Sequence, residues 1–265
     1  MARTANGEIV RASEGAEDIG KWVNSNLGAV QLAMPGGFDA AGFSQRLMAE
    51  IKRTPKLLQC DRFSLLNGFV CAAQLGLEIG SGLGQCWLIP YGREATLVVG
   101  YRGLLSLVYR SGLVDSIDCE VVREGDHFSY QLGTNPDVDH RKATGAEGEI
   151  THAYAIAWLK GSQRPKVAVM TWAEIETIKK ASRAGARGGP WNQWTGEMAK
   201  KTVLRRICKT LPQSAEPLHR AAIIDEFADA NVSQPNVIES ESFESSAGEL
   251  SPVDEPALEA SNDAV

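Results

Sequence analysis

Residues 185–212 read Gly-Ala-Arg-Gly-Gly-Pro-Trp-Asn-Gln-Trp-Thr-Gly-Glu-Met-Ala-Lys-Lys-Thr-Val-Leu-Arg-Arg-Ile-Cys-Lys-Thr-Leu-Pro. The stretch begins as a Gly/Pro loop and then takes the spacing of a helix. Apolar residues recur every three or four positions, which places them on one side of that helix: Ala199, Val203, Leu204, Ile207, Cys208 and Leu211. We therefore predict a helix that is held in the core by one apolar face.

Basic residues fill much of the rest of this helix, and two tryptophans precede it. They are Lys200, Lys201, Arg205, Arg206 and Lys209, with Trp191 and Trp194. A cationic helix entered through aromatic rings suits single-stranded nucleic acid, because phosphates contact Lys and Arg while bases stack on rings. The same residues also fit a solvated face with ion pairs such as Glu197–Lys201. For the tryptophans, packing in the core or between subunits is favoured over stacking on bases.

The composition is that of a soluble globular protein. The chain has 265 residues, of which 43% are hydrophobic and 23% charged. No run approaches the 18–20 apolar residues of a membrane span, and the N-terminus lacks the apolar core of a signal peptide. The five cysteines are scattered and form no C-x-x-C pair, so neither a disulfide framework nor a zinc site is indicated. We expect a cytoplasmic protein.

The net charge of −6 is unevenly distributed. Residues 221–265 hold eleven acidic residues and no Lys or Arg, so residues 1–220 carry 27 basic and 22 acidic residues. A basic body with an acidic end points toward nucleic acid. We divide the chain into an N-terminal segment (1–37) that is weakly structured or an oligomer contact, a DNA-binding domain (38–230), and a disordered acidic tail (231–265).

The expected fold class is α+β, with a small antiparallel sheet and hairpins packed against helices. Helices are predicted around 43–51, over 65–75 with Ser64 as N-cap, from 101 onward, over 172–181 with a Thr171/Glu174 capping box, and over 217–228. In that last helix, Leu218, Ala222, Ile223 and Phe227 form the expected buried side. Segments 85–92 and 95–99 predict one hairpin, 117–124 and 127–132 alternate around a turn, and 151–160 precedes 165–170. The stretch 133–149 reads as a polar loop.

Two other functional classes have weak support. Acidic and histidine residues could suggest a metal-dependent nuclease: Asp126, His127, Asp137, Asp139, His140 and Glu147. Their spacing matches no metal motif, however. A sequence-specific or non-annealing regulator of single-stranded nucleic acid is the other alternative, although no helix-turn-helix or RNP motif is recognisable. A nucleotide-binding loop is also missing, because neither a Walker-type nor a G-x-G-x-x-G sequence occurs.

Short segments across residues 40–225 show a resemblance that is more specific than any single motif. They include AAQLGLE (72–78), GQ (84–85), IPYG (89–92), GYRGL (100–104), RSG (110–112), a hairpin over 122–130, PW (190–191), Trp194, EMAKKTV (197–203) and KTLP (209–212). In this order they resemble the RecT family of phage single-strand DNA annealing recombinases. The tail lies outside the resemblance.

The resemblance implies a protein that is not an enzyme. It implies binding of single-stranded DNA without ATP or another cofactor, assembly into oligomers or helical filaments, and pairing of complementary strands into duplex DNA. It also implies a companion exonuclease, and the acidic tail could dock that enzyme or a host single-strand-binding protein. No membrane partner is expected.

The expected DNA-binding residues combine the basic helix with two further groups. Tyr101, Arg102 and Arg110 lie at or after a Gly-Tyr-Arg-Gly turn, which presents an aromatic ring and a guanidinium together; Tyr101 fits equally well as a packing residue. Arg183 and Arg187 belong to the Gly/Arg-rich segment 182–189. The full set is Lys200, Lys201, Arg205, Arg206, Lys209, Tyr101, Arg102, Arg110, Arg183, Arg187, Trp191 and Trp194.

Overall fold

The structure is a computed structural model that describes residues 2–32, 40–145, 148–182, 189–230 and 232–237. Within these ranges the helices are α1 Ala2–Ser25, α2 Leu27–Leu32, α3 Ala40–Arg53, α4 Arg62–Gln74, α5 Tyr101–Arg110, α6 Trp172–Ala181, α7 Pro190–Gln193, α8 Thr195–Cys208 and α9 Glu216–Asp229. The strands are β1 Cys86–Tyr91, β2 Glu94–Val99, β3 Val114–Arg123, β4 His127–Gln131, β5 Asp137–Arg141, β6 Ile150–Leu159 and β7 Lys166–Thr171. This α+β architecture, with small antiparallel sheets against helices, confirms the predicted fold class.

The N-terminal segment 1–37 was expected to be weakly structured or an oligomer contact, and residues 2–25 and 27–32 of it are helical. Helix α1 packs along α3 and buries Ile19, Trp22 and Val23 in the core. The two helices approach closely at Gly20, where an added Cβ would lie 2.7 Å from the sulfur of Met48. Residues 33–39 are outside the described ranges.

The hairpin predicted over 85–99 is confirmed. Strands β1 and β2 pair antiparallel from Cys86↔Val99 to Tyr91↔Glu94, and α4 packs on the hairpin. The N-cap of α4 is Asp61 rather than Ser64: its carboxylate accepts a hydrogen bond from the Ser64 backbone N–H at 2.9 Å. The Ser64 hydroxyl instead accepts the backbone N–H of Ala95 on β2.

Strands β3, β6 and β7 form an antiparallel sheet in the order β3-β6-β7. The predicted 122–130 hairpin is therefore wrong, since β3 pairs with β6 and β4 pairs with β5. The predicted polar loop over 133–149 is also partly wrong, because it contains β5. One face of the three-stranded sheet carries Ala153, Ala155 and Ala157, whose small side chains let α8 pack closely against it.

The β4–β5 hairpin is held against the three-stranded sheet by a buried polar clasp, defined as Asp126, His140 and Tyr154. His140 lies between the other two, with 3.1 Å from Nε2 to the Asp126 carboxylate and 3.1 Å from Nδ1 to the Tyr154 hydroxyl. Asp126 also accepts the backbone N–H groups of Arg123 and Ala143, which flank the hairpin. Because these backbone bonds and then His140 stabilise the carboxylate, they lower the pKa of Asp126 to about 2.

Helix α8 buries the predicted apolar residues, and α9 packs beside it. The side of α9 that faces the core was only partly predicted, since Ile223 is exposed and Asp225 is fully buried. The Asp225 carboxylate accepts hydrogen bonds from Lys201 Nζ at 2.8 Å, Arg205 at 2.9 Å and the Val99 backbone N–H at 3.2 Å. One carboxylate thus joins α8, α9 and β2.

Residues 232–237 cross back over β2 and α4, although the acidic tail was expected to begin at 231. The Gln234 side chain hydrogen-bonds both the N–H and the C=O of Leu97, and the Asn67 side chain pairs in the same way with Pro235 and Val237. These six residues therefore belong to the folded body. The expectation of disorder over residues 238–265 concerns a segment outside the described residues.

We predict that Asp225→Ala lowers the free energy of unfolding by about 3–5 kcal/mol, because it leaves the buried Lys201 without its carboxylate and Arg205 with Asp229 alone. Urea denaturation measures the change. The matched control is Glu226→Gln on the same helix as Asp225, which removes an exposed carboxylate that pairs with Lys209 at the end of α8 and should cost at most about 1 kcal/mol. Equal losses in the two variants would contradict a structural role for Asp225.

The clasp leads to a second prediction, which concerns the stability of the fold at acidic pH. The folded-state pKa of Asp126 is about 2, and an unfolded aspartate titrates near about 3.9. A depressed pKa stabilises the fold above the unfolded value and loses that contribution as the pH falls through the folded value. The stability difference between the wild type and Asp126→Asn should therefore shrink from about pH 4 to about pH 2, whereas Asp115→Asn, at an exposed site on β3, should show no such trend. A pH-independent difference would contradict the assignment.

Candidate nucleic-acid interface

Two of the five basic residues on α8 are committed to the core. The side chains of Lys201 and Arg205 are only 10% and 6% exposed, and both pair with Asp225. Arg205 also pairs with Asp229, and these two carboxylates raise the pKa of its guanidinium against the opposing effect of burial. A phosphate could reach either cation only by breaking the α8–α9 contact. We therefore correct the expectation that Lys201 and Arg205 contact DNA.

The other three basic residues of α8 are more accessible, and each pairs with a carboxylate on another element: Lys200 with Glu120, Arg206 with Glu174, and Lys209 with Glu226. Of these three ion pairs, Arg206–Glu174 is the one that a phosphate can replace most easily. Glu174 also caps α6 by accepting the Thr171 N–H at 2.9 Å, so it keeps a partner when Arg206 turns away. The hydrogen bond from Arg206, together with that cap, lowers the pKa of Glu174.

The two tryptophans before α8 have opposite environments. Trp191 is completely buried in the core, which matches the packing role that was favoured for both residues. Trp194, at the N-terminus of α8, is 64% exposed. Exposing so much indole is unfavourable unless a ligand covers it. Of these two tryptophans, Trp194 is therefore the one that a flat ligand can reach.

Trp194 borders an open cleft of about 640 Å³ that lies between the first turn of α8 and the adjacent ends of β3 and β6. Trp172 and Arg123 also line it. The Arg123 guanidinium donates to the Gly148 carbonyl at 2.9 Å, and its other terminal nitrogen lies 3.9 Å from where a Cβ at Gly196 would stand. The cleft thus brings two indole rings and the Arg123 guanidinium together, with the carboxylates of Glu149 and Glu197 also on its wall. The rings suit stacked bases, and among the described residues of the lining Arg123 is the one cation that could meet a phosphate.

A smaller cavity of about 220 Å³ shares Arg123 and Gly196 with this cleft. It contains Lys200 and Lys142, whose ammonium groups lie 3.3 Å and 3.2 Å from the two oxygens of Glu120. Burial alone would raise the pKa of Glu120, but the two lysines outweigh it and lower that pKa. Glu120 therefore holds both lysines as an ionised carboxylate.

The residues expected around the Gly-Tyr-Arg-Gly turn separate into different roles. Tyr101 is half-buried; burial, and then the Cys119 thiol that its hydroxyl contacts, raise the pKa of Tyr101. Arg110 donates to the carbonyls of Leu75 and Gly76, so it closes the C-terminal end of α4. Only Arg102 of this group is exposed without a hydrogen bond or ion pair to the residues that the structure describes. Arg183 and Arg187 lie outside the described residues.

The acidic and histidine residues considered for a nuclease are used otherwise. Asp126 and His140 form the clasp, and His127 lies 3.4 Å from Asp139. Across the described ranges, no group of three or more His, Cys, Asp or Glu side chains has the arrangement of a metal site. Glu147 is outside those ranges. All five cysteines are buried free thiols, and burial raises the pKa of Cys86 to about 12.

Sequence reasoning did not find Arg123, Trp172 or Lys142. Arg123 ends a strand and Trp172 begins a helix, so neither position carries a charge run or a motif. They meet Trp194 only because β3, β6 and α8 pack together.

None of the helices that the structure describes is long and apolar enough to cross a bilayer.

Comparison with known proteins agrees with this architecture. The sequence profile of the RecT family matches residues 41–239. The chain is 38% identical to "Protein RecT" of Escherichia coli (strain K12) over 221 residues, which cover 79% of this chain and 80% of that protein. It is 30% identical to "Uncharacterized protein YqaK" of Bacillus subtilis (strain 168) over 173 residues, covering 64% of this chain and 59% of that protein.

The chain therefore belongs to the RecT family. Membership places it among DNA-binding proteins of recombination by single-strand annealing. The resemblance stated from the sequence is thus confirmed.

We predict that Arg206→Ala reduces the dependence of single-stranded DNA affinity on salt, with the slope of log K against log[salt] falling by roughly 0.7 for one lost phosphate contact. Unfolding free energy should change by at most about 1 kcal/mol, because the Arg206–Glu174 pair is exposed. Lys21→Ala removes an exposed cation that pairs with Asp18 on α1 and should leave the slope unchanged. An unaltered slope in Arg206→Ala would remove this residue from the interface.

Proposed function

We propose that this protein binds single-stranded DNA and anneals complementary strands without ATP, acting as an oligomer and catalysing no bond chemistry. The exposed Trp194 in the cleft next to Arg123 carries the proposal, together with RecT-family membership. Its ligands are single-stranded DNA and the annealed duplex. We place its action in the cytoplasm, beside an exonuclease that generates the strands and a host single-strand-binding protein.

The mechanism follows from what annealing requires. A bound strand must be held by its backbone and by base faces, so that the base-pairing edges remain available to a complementary strand. Stacking on Trp194 uses a face and leaves those edges free. Arg206, Lys209 and Lys200 supply phosphate contacts when they exchange their carboxylate partners for DNA. Because each exchange replaces one ion pair by another, binding stays reversible and strands can search for their register.

The first test follows the pairing of two complementary oligonucleotides, one carrying a fluorophore and the other a quencher, in the absence of ATP. We predict that the wild-type protein accelerates pairing and that electron microscopy shows oligomers on the DNA. Trp194→Ala should weaken single-stranded DNA binding by roughly 5- to 150-fold, corresponding to about 1–3 kcal/mol for one stacked base.

The matched control is Tyr109→Ala, which removes an exposed aromatic side chain from α5 and should anneal like the wild type. Binding without acceleration of pairing would identify a single-strand-binding regulator instead of an annealing protein. Equal affinities for Trp194→Ala and Tyr109→Ala would exclude Trp194 from the interface.

A further inference from the structure

A second exposed indole lies on β1, on a different sheet from β3 and β6. Trp87 is 40% exposed, although Leu88, Leu97 and Val99 of the same hairpin are buried. Leaving this much indole in water is unfavourable. Trp158 on β6 is exposed to the same degree, so what distinguishes Trp87 is the set of groups around its ring.

Two glycines fix the position of this ring. A Cβ at Gly100 would lie 2.7 Å and 3.0 Å from Cζ3 and Cη2 of Trp87 and 2.5 Å from the Gly84 carbonyl oxygen. Gly84 has a φ of +63°, a backbone conformation that residues other than glycine rarely adopt. The backbone therefore presses against the benzo edge of the indole, and the ring is held in place before any ligand arrives.

Arg102 stands beside the same ring. The point where a Cβ of Gly84 would be is 3.6 Å from Cζ2 of Trp87 and 3.9 Å from Cδ of Arg102, so both side chains flank one position above Gly84. Arg102 is exposed, and it makes no hydrogen bond or ion pair with the described residues. This distinguishes it from the basic residues of α8, all of which have carboxylate partners.

A cleft of about 400 Å³ opens on the α3 side of Trp87. Its walls are Pro90, Ile89 and the C-terminal turn of α3. The Arg53 guanidinium crosses it to reach Glu50 and the Gly80 carbonyl. The cleft gives a planar group room to lie against the indole.

We propose that Trp87 and Arg102 form a second contact for single-stranded nucleic acid, in which a base stacks on Trp87 while Arg102 binds the adjoining phosphate. The proposal rests on the proposed function and extends it to a surface apart from the Trp194 cleft. The chemistry favours a nucleic acid over an apolar protein segment, because an unpaired guanidinium next to a fixed ring suits a ligand that is both flat and anionic. Gly84 and Gly100 thus hold the ring, and Arg102 follows Gly100 by two positions in the chain.

The test measures binding of a short single-stranded oligonucleotide to the full-length Trp87→Leu and Trp87→Phe variants. Leu keeps an apolar side chain without an aromatic face, so it should weaken binding by at least about fivefold, while Phe should restore part of the loss. Arg102→Ala should lower the salt slope by roughly 0.7. Urea denaturation confirms that each variant is folded.

The matched control is Trp158→Leu. Trp158 is 42% exposed on β6, so the substitution removes an equally exposed indole elsewhere. As a direct readout, an oligonucleotide containing 5-iodouracil should cross-link to the peptide that spans β1 in the wild type, and this cross-link should disappear in Trp87→Leu.

The outcomes separate this inference from the proposed function. If the wild type binds and anneals DNA, but Trp87→Leu behaves like Trp158→Leu and no cross-link maps to β1, the second contact is overturned and the annealing function stands. If the wild type fails to bind single-stranded DNA, the proposed function is overturned and the second contact with it.

Discussion

The fold depends on one buried carboxylate. Asp225 accepts hydrogen bonds from two cations of α8 and from the backbone of β2. Removing charges from water is costly, and the cost is recovered only if the pairing geometry and hydrogen bonding are nearly complete. The arrangement therefore requires α8, α9 and β2 to adopt one relative position. The three-stranded sheet, which packs on the other side of α8, is fixed relative to the β1–β2 hairpin through that same group.

This interaction also explains where sequence reasoning about α8 succeeded and where it failed. The apolar positions of α8 were predictable, since burial of one helix face leaves a period that is visible in local sequence. The roles of its charges were not, because a buried lysine and an exposed arginine look alike in that pattern. What separates Lys201 from Arg206 is the partner, Asp225 or Glu174, which lies 24 or 32 positions away in the chain. Such contacts exist only after the fold has formed.

The strands show the same limit of reasoning from local sequence. Alternation predicted that residues 117–124 and 127–132 are extended, and both segments contain strands. It could not assign their partners, because alternation specifies which face a side chain takes and not which strand lies beside it. Asp126 instead joins the two ends of the β4–β5 hairpin, because its carboxylate accepts hydrogen bonds from the backbone on both sides of it. That hairpin consequently folds over the sheet instead of extending it. The β1–β2 hairpin was predictable because its turn is short and its partners are adjacent.

The distribution of charge changes what drives binding. Three of the acidic residues first counted with the tail, Asp225, Glu226 and Asp229, belong to α9 and pair with α8. Residues 1–230 then hold 27 basic and 25 acidic residues, and the body is almost neutral. Each phosphate that takes a cation from α8 must break an existing ion pair, so the net electrostatic gain per contact is smaller than for an unpaired cation. Exposed aromatic rings carry no such opposing term. For this chain, stacking on indoles fixed by the backbone should supply a larger share of the affinity than the number of basic residues on α8 suggests.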